Sequence, residues 1–259
     1  MKRLRVLSLG AGVQSTTLAL MAARGDIEPP DCAITADTQW EGRSFYEHLD
    51  WLRSVLPYPV HVVTHGNLRQ TIGKADGYCA IPWYTLDADG SPGIGRRQCT
   101  SEYKLKPIMR EIRRLLGCNP RTHIPRGLVT MLIGISFDEA LRMKQPSQQY
   151  MVHEYPLIDL RMTRQACQNW LHWRRYPQPR KSACIGCPYH GDDYWLDLRK
   201  NRPDEWAEAV AVDRSLREGK RGPTTEYMHN SRVPLDEVVF KLDRQPNLFG
   251  QECEGLCGV

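Results

Sequence analysis

Leu4-Arg5-Val6-Leu7-Ser8-Leu9-Gly10-Ala11-Gly12-Val13-Gln14-Ser15-Thr16-Thr17 carries the decisive pattern of this chain. A short apolar run ends at Ser8 and Leu9, two glycines permit tight backbone turns, and helical spacing follows across Ser15–Ala23. The stretch therefore reads as strand, glycine-rich loop and helix. A loop of this kind delivers backbone N–H groups and hydroxyls to a helix N-terminus, where an anion is stabilised. The Gly-Lys-Ser/Thr ending of a Walker loop is missing. A dinucleotide fingerprint would want Gly in place of Ser15 and an acid about 20 residues further on, a distance that Asp37 meets, so that reading stays open. A glycine-rich turn that binds nothing is the plainer alternative. Met1-Lys-Arg-Leu-Arg5 imitates the basic start of a signal peptide, but the polar run Gln14–Thr17 interrupts the apolar stretch. A buried first strand and a cytoplasmic protein are the expectation.

Working outward, apolar stretches rich in β-branched residues recur at Leu4–Leu9, Cys32–Ala36, Val60–Thr64 and Leu128–Ile135. Helical spacing separates them at Ser15–Ala23, Phe45–Leu56, Lys104–Leu116 and Thr163–Arg175. Short apolar strands alternating with helices predict an α/β fold, a Rossmann-like doubly wound parallel sheet. Asp76–Cys99, with several Gly and Pro, reads as a long functional loop. After Pro177 the pattern becomes a loop, a helix around Asp193–Glu218 and a Pro- and Gly-punctuated tail. The expected domains are a nucleotide-binding α/β domain over 1–176 and a cysteine-containing helical and loop extension over 177–259.

The composition is that of a globular chain: 259 residues, 41% hydrophobic and 25% charged, with a net charge of +5. Low-complexity tracts are absent, which excludes wholesale disorder. No apolar run approaches the roughly 20 residues that cross a bilayer. The nine cysteines do not suggest a secreted disulfide framework and, in a reducing compartment, point to a metal, a cluster or redox chemistry. The charge is uneven. Nine Lys and Arg between Arg96 and Arg126 face only Glu102 and Glu111, and Arg161–Lys181 holds six bases and no acid. A polyanionic ligand matches that asymmetry, with solvated helix faces as the alternative.

Five segments in order resemble the PP-loop (adenine nucleotide alpha-hydrolase) superfamily, and within it the phosphoadenosine phosphosulfate reductase branch. Ser8–Thr16 is similar to its pyrophosphate-binding loop and Asp37-Thr38-Gln39-Trp40-Glu41 to its Asp-Thr-Gly-aromatic element. Cys99-Thr-Ser-Glu-Tyr-Lys104-Leu-Lys106-Pro107 resembles Cys-x-x-x-x-Lys-x-x-Pro, and Gly134-Ile-Ser-Phe-Asp138-Glu139-Ala-Leu-Arg142 resembles its Gly-Ile element. Tyr155-Pro-Leu-Ile-Asp159 resembles the Pro-Leu/Ile segment. Gly10 and Gln39 depart from the usual pattern, and the Glu-Cys-Gly-x-His tail is replaced by Glu252-Cys253-Glu-Gly-Leu-Cys257-Gly-Val259.

The resemblance implies that Ser8, Gly10, Gly12, Gln14, Ser15 and Thr16 hold phosphates, with Asp37, Thr38 and Gly134 at the nucleotide and Arg142 reaching a phosphate as a planar fork. Arg96, Arg97, Lys104, Lys106, Arg174 and Arg175 are the candidate anion-binding residues, and Lys104, Arg142 and Cys257 the candidate catalytic ones. For Asp138 and Glu139 a helix N-terminal charge pattern competes with a catalytic role. Cys99 with Cys184-Ile-Gly-Cys187 resembles the cysteine frame of the iron-sulfur members, implying a 4Fe-4S cluster with Cys253 or Cys257 as a further ligand. Zinc on four thiolates and a thiol/disulfide pair are the competing readings. Cys32, Cys79, Cys118 and Cys167 lack metal spacing and read as structural.

The chemistry implied is that of an ATP pyrophosphatase: ATP or another adenine nucleotide, with Mg2+, adenylylates a substrate for iron-sulfur-dependent sulfur transfer, with tRNA or DNA as candidate acceptor. The motif Trp170-Leu-His-Trp173-Arg174-Arg175-Tyr176 interleaves aromatic and basic residues as a nucleic-acid strand requires, although Trp170 and Trp173 also suit a core. A sulfur- or electron-donor protein is the expected partner, and no membrane is. Two alternatives remain. One is a phosphosulfate reductase releasing sulfite through a C-terminal cysteine nucleophile; the other is a non-catalytic nucleic-acid-binding module.

Overall fold

The computed structural model describes residues 2–72, 79–218 and 223–241. Along the chain run β1 (Leu4–Ser8), α1 (Val13–Arg24), β2 (Cys32–Asp37), α2 (Arg43–Val55) and β3 (Val60–Thr64). The short strands β4 (Tyr84–Leu86) and β5 (Pro92–Ile94) precede α3 (Lys106–Leu115), β6 (Val129–Ile133) and β7 (Met151–Glu154). The helices α4 (Pro156–Asp159), α5 (Arg164–Trp173), α6 (Asp192–Asn201) and α7 (Pro203–Ser215) then lead to β8 (Thr225–Tyr227). These elements form two compact units. Of the described residues, the first takes those up to Gly66 and again over Thr100–Ser182; the second takes those of Asn67–Cys99 and those from Ala183 to Lys241.

The first unit is built on a five-stranded sheet in the order β3-β2-β1-β6-β7, every neighbouring pair parallel. This is the expected doubly wound α/β arrangement. Successive side chains of a strand point to opposite faces, and each face has its own core. Leu7, Ala33 and Leu132 pack with Leu18 of α1, Leu49 and Leu52 of α2 and Leu171 of α5. Val6, Ile34, Met131 and Ile133 pack with Ile108 and Ile112 of α3. Each fully buried aliphatic side chain contributes about 1.5–3 kcal/mol, so both layers stabilise the sheet. Cys167 lies in the first core, Cys32 and Cys118 in the second. Strand order reverses beside β1, where β2 and β6 flank it with Ser8 opposite Ile34 and Ile133. Open α/β sheets bind ligands outside the carboxyl ends of their strands at such a reversal.

In the second unit β4 pairs antiparallel with both β5 and β8. The stretch Asp76–Cys99 thus holds a hairpin, turned at Gly90 with a φ of +83°, where the composition alone suggests a loop. The single helix expected around Asp193–Glu218 is two helices. Pro203 has no N–H to donate and opens α7, while Arg202 leaves helical geometry at φ −139° and ψ 63°. The buried carboxylate of Asp213 accepts from the Met228 and Leu235 N–H groups at 2.8 and 2.9 Å and from the Arg217 guanidinium at 2.7 Å, tying α7 to the segments around β8. Cys79 is half-buried and its sulfur accepts from the Trp83 indole N–H at 3.1 Å. Among the described residues no helix is long and apolar enough to cross a membrane.

Candidate phosphate-loop site

The loop after β1 turns through Ala11 at a φ of +54°, a left-handed conformation that non-glycine residues seldom adopt. Gly12 is the N-cap of α1, no side chain caps the helix, and its first turn carries no acid. First-turn N–H groups have no acceptor within their own helix, so this end of α1 presents donors and a positive dipole to the loop. Ser8, Gln14, Ser15 and Thr16 are buried. The Ser15 hydroxyl turns back to the Gly12 carbonyl at 3.4 Å, and the Thr16 hydroxyl lies 3.0 Å from Nε2 of His48. Burial pushes His48 down to about 4, which leaves the ring neutral near pH 7. Ser182 donates its hydroxyl to the Gly10 carbonyl. A recess of about 20 Å³, room for one water, lies among Ser8, Gly10, Thr35, Glu41, Lys104 and Ser182.

At the end of β2, Asp37 uses Oδ1 to accept from the Gln39 N–H at 2.7 Å and the Tyr46 hydroxyl at 3.0 Å. Burial first, and then the Asp37 charge, raise the Tyr46 phenol far above its ordinary value. Gln39 adopts a φ of +56°, where the resembling element has Gly. Thr38 is fully buried and donates to Oε1 of Glu41 at 3.0 Å. The same carboxylate stands 3.7 Å from Nζ of Lys104, and both side chains are buried. Lys104 lies in a π-helical turn, Thr100–Leu105, that runs into α3. Two sequence motifs about sixty residues apart are thus joined through a buried ion pair. Glu41 carries that joint, and sequence reasoning quoted it without giving it a role; its place beside a run of polar residues, Asp37-Thr38-Gln39, gave no signal that it would be buried.

Gly134 follows β6, and Phe137–Arg142, with Ser136 as N-cap, form a kinked 3-10 turn rather than a regular helix. Glu139 bridges it to the loop. One oxygen pairs with Arg142 at 2.7 Å and the other accepts from the Gln14 amide at 3.0 Å. Gln14 in turn accepts from the Arg164 guanidinium at 3.0 Å, a partner that sequence reasoning did not single out. Asp138 accepts from the Arg164 N–H at 3.0 Å and so caps α5, beside the N-cap Thr163 that holds the Ala166 N–H. Lys106 pairs with Glu102 at 2.6 Å. At the far end of α5, Arg174 lies 4.2 Å over the Trp170 ring, which stacks on Tyr176 at 5.9 Å. Trp170 is buried whereas Trp173 is 76% exposed beside the exposed Arg174 and Arg175, so the two tryptophans divide between core and surface.

Cys99, Cys184 and Cys187 belong to the second unit, as do Arg96 and Arg97. Cys184 and Cys187 sit in a turn closed by the Cys187 N–H on the Cys184 carbonyl at 3.1 Å, and His190 Nε2 lies 2.8 Å from that carbonyl. The Cys99 N–H donates to the Ala80 carbonyl. Arg97 stands over the Tyr189 ring at 5.2 Å. Among the described residues no group of three or more His, Cys, Asp or Glu side chains is arranged to hold a metal ion. Cys253 and Cys257 lie outside the described residues.

No family model and no curated protein matches the sequence. Among solved structures the chain is similar to a phosphoadenylyl-sulfate (PAPS) reductase from Candida auris in its phosphate complex, at 12% identity and a TM-score of 0.42, over 69% of this chain and 76% of that one.

Proposed function

We propose that this chain is an enzyme of the PP-loop type that binds ATP, or another adenine nucleotide, at the Ser8–Thr16 loop and adenylylates a substrate for sulfur transfer to a nucleic acid. The observation that carries the reading is the Gly10–Gly12 loop at the strand-order reversal, with Lys104 lining the recess beside Ser8 and Gly10. An acceptor oxygen attacks the α-phosphorus, the bond to the β-phosphate breaks, and pyrophosphate leaves with the electron pair. The N–H groups at the start of α1 hold the departing charge, and Lys104, ion-paired with Glu41, stabilises it further. Mg2+ would accompany the nucleotide. Arg174, Arg175 and the exposed Trp173 supply cations and a stacking face for a nucleic-acid strand.

The thiols of Cys99, Cys184 and Cys187, with Cys253, have the donor chemistry of a 4Fe-4S cluster, and zinc is the competing occupant. Among the described residues no three such side chains are grouped to hold a metal ion. The test is anaerobic purification, metal analysis and ATP–pyrophosphate exchange with RNA or DNA present. Iron together with exchange supports the proposal. Sulfite release from a phosphosulfate nucleotide with a thiol reductant would favour a reductase in which Cys257 is the nucleophile. Nucleotide binding without turnover, with nucleic-acid affinity falling steeply in salt, would favour a binding module.

A further inference from the structure

A cavity of about 500 Å³ opens in the first unit between α3, the end of β6 and the segment 144–148. Its volume falls in the range of sites for small organic ligands. Leu105, Met109, Ile133 and Ile135 give it an apolar floor, and no Asp or Glu lines it. Five cations do: Lys106, Arg110, Arg113, Arg142 and Lys144. Three of these are already engaged, Lys106 by Glu102, Arg142 by Glu139, and Arg113 by the Asn119 and Thr122 carbonyls. Arg110 and Lys144 carry no ion pair among the described residues.

The wall beside Lys144 is a built one. The Tyr155 hydroxyl donates to the Lys144 carbonyl at 2.7 Å and accepts from the Lys144 N–H at 3.2 Å. Nδ1 of His153 lies 2.9 Å from the same carbonyl. A carbonyl only accepts, so Nδ1 carries the proton and Nε2 is left as a bare acceptor. Nε2 is buried and has no hydrogen-bond partner among the described residues. Burial also lowers the basicity of His153, in keeping with a neutral ring.

We infer that this cavity is a ligand site for a phosphorylated nucleoside unit. Its phosphate would meet Arg110 and Lys144, and its base would lie on the Met109 and Ile135 floor. The Ser8–Thr16 loop and Lys104, which carry the reaction proposed above, do not line this cavity. The cavity is coupled to the phosphate loop: Arg142 lines the cavity, and its partner Glu139 accepts from Gln14. The same unit could arrive as a free mononucleotide or within a single strand.

The experiment uses the full chain, with cytidine 5′-monophosphate and a fluorescent single-stranded decamer as probes and inorganic phosphate as competitor. The double variant Arg110→Glu/Lys144→Glu changes two exposed side chains, so the fold is retained, as circular dichroism would verify. It should weaken binding of the recognised probe by about tenfold or more. Tight monophosphate binding assigns a free nucleotide; decamer binding that the monophosphate competes for only weakly, yet lost in the double variant, assigns a strand. The inference is overturned if neither probe binds up to about 10 mM, if the double variant stays within about twofold of wild type, or if inorganic phosphate displaces the probe as well as the monophosphate does. Absence of pyrophosphate release would sink the ATP reading and leave this result untouched.

Discussion

The amide of Gln14, in the first turn of the helix that follows the phosphate loop, donates to Oε2 of Glu139 at 3.0 Å across 125 positions of sequence. Oε1 of the same carboxylate pairs with Arg142 at 2.7 Å. One mostly buried glutamate therefore sets the loop and the β6–β7 connection relative to each other. Glu139→Ala strands a buried amide hydrogen and releases Arg142. Urea denaturation should show a loss of about 1–3 kcal/mol. If ATP is held at the loop, the same variant weakens its binding in equilibrium dialysis.

The Lys104–Glu41 pair makes a sharper case, since both side chains are buried. Removing one partner of a buried pair leaves an uncompensated charge, whereas removing both is far milder. Lys104→Met should cost about 3–5 kcal/mol in denaturant unfolding, and Lys104→Met/Glu41→Gln should regain most of it. A double variant no more stable than the single one would contradict the coupling.

Acid sensitivity follows from His48. Its folded value of about 4 lies below the ordinary 6.5 because burial disfavours the charged ring. The unfolded chain therefore takes up the proton first as pH falls. The resulting stability, about 3 kcal/mol, is present above pH ~6.5 and is lost as pH falls towards 4. His153 is shifted in the same direction by burial and adds to the same side. Urea midpoints measured between pH 7.5 and 4.5 should fall less steeply for His48→Gln than for wild type.

Asp213 is the joint of the second unit, accepting from two backbone N–H groups and one guanidinium. Asp213→Ala leaves those donors buried without an acceptor and should cost about 3 kcal/mol or more. Hydrogen exchange at the Met228 and Leu235 amides should accelerate ahead of amides in β1 and β6.

Cysteine labelling should separate two classes. Burial pushes the Cys32 thiol up to about 11, and Cys118 and Cys167 lie in cores, so all three should resist alkylation in the native protein. Cys99, Cys184 and Cys187 are less buried and should label first in metal-free protein. Mass spectrometry after brief iodoacetamide treatment reads the order directly; labelling of Cys32 or Cys167 at the same rate would contradict it.

Much of the first unit was legible locally. The runs at Leu4, Cys32, Val60 and Leu128 became β1, β2, β3 and β6, and the predicted helices lie within a few residues of α1, α2, α3 and α5. Period-2 and period-3.6 patterning records which faces are buried, and burial is what those strands and helices share. The strand β7 and the hairpin β4–β5 were not legible, because Met151–Glu154 and Tyr84–Ile94 lack long apolar runs and owe their pairing to neighbouring strands. The split between α6 and α7 was available in principle from Pro203.

The candidate site divides in the same way. The phosphate loop was readable because glycine spacing after a strand is a local property of the backbone. The partners were not: Thr16 turned to His48, Glu41 set against Lys104, Asp138 capping α5 and Glu139 shared between Gln14 and Arg142 all join positions far apart in the chain. By itself the sequence determined the strand–loop–helix start, the alternating α/β layers and the positions of the basic stretches, all properties of neighbouring residues. Only the tertiary structure decided which charges are paired, which hydroxyls turn inward and that Arg110, Lys144 and His153 share one cavity with Arg142. Those outcomes depend on which distant groups packing brings within a few ångströms, and on the desolvation that makes each unpaired group costly.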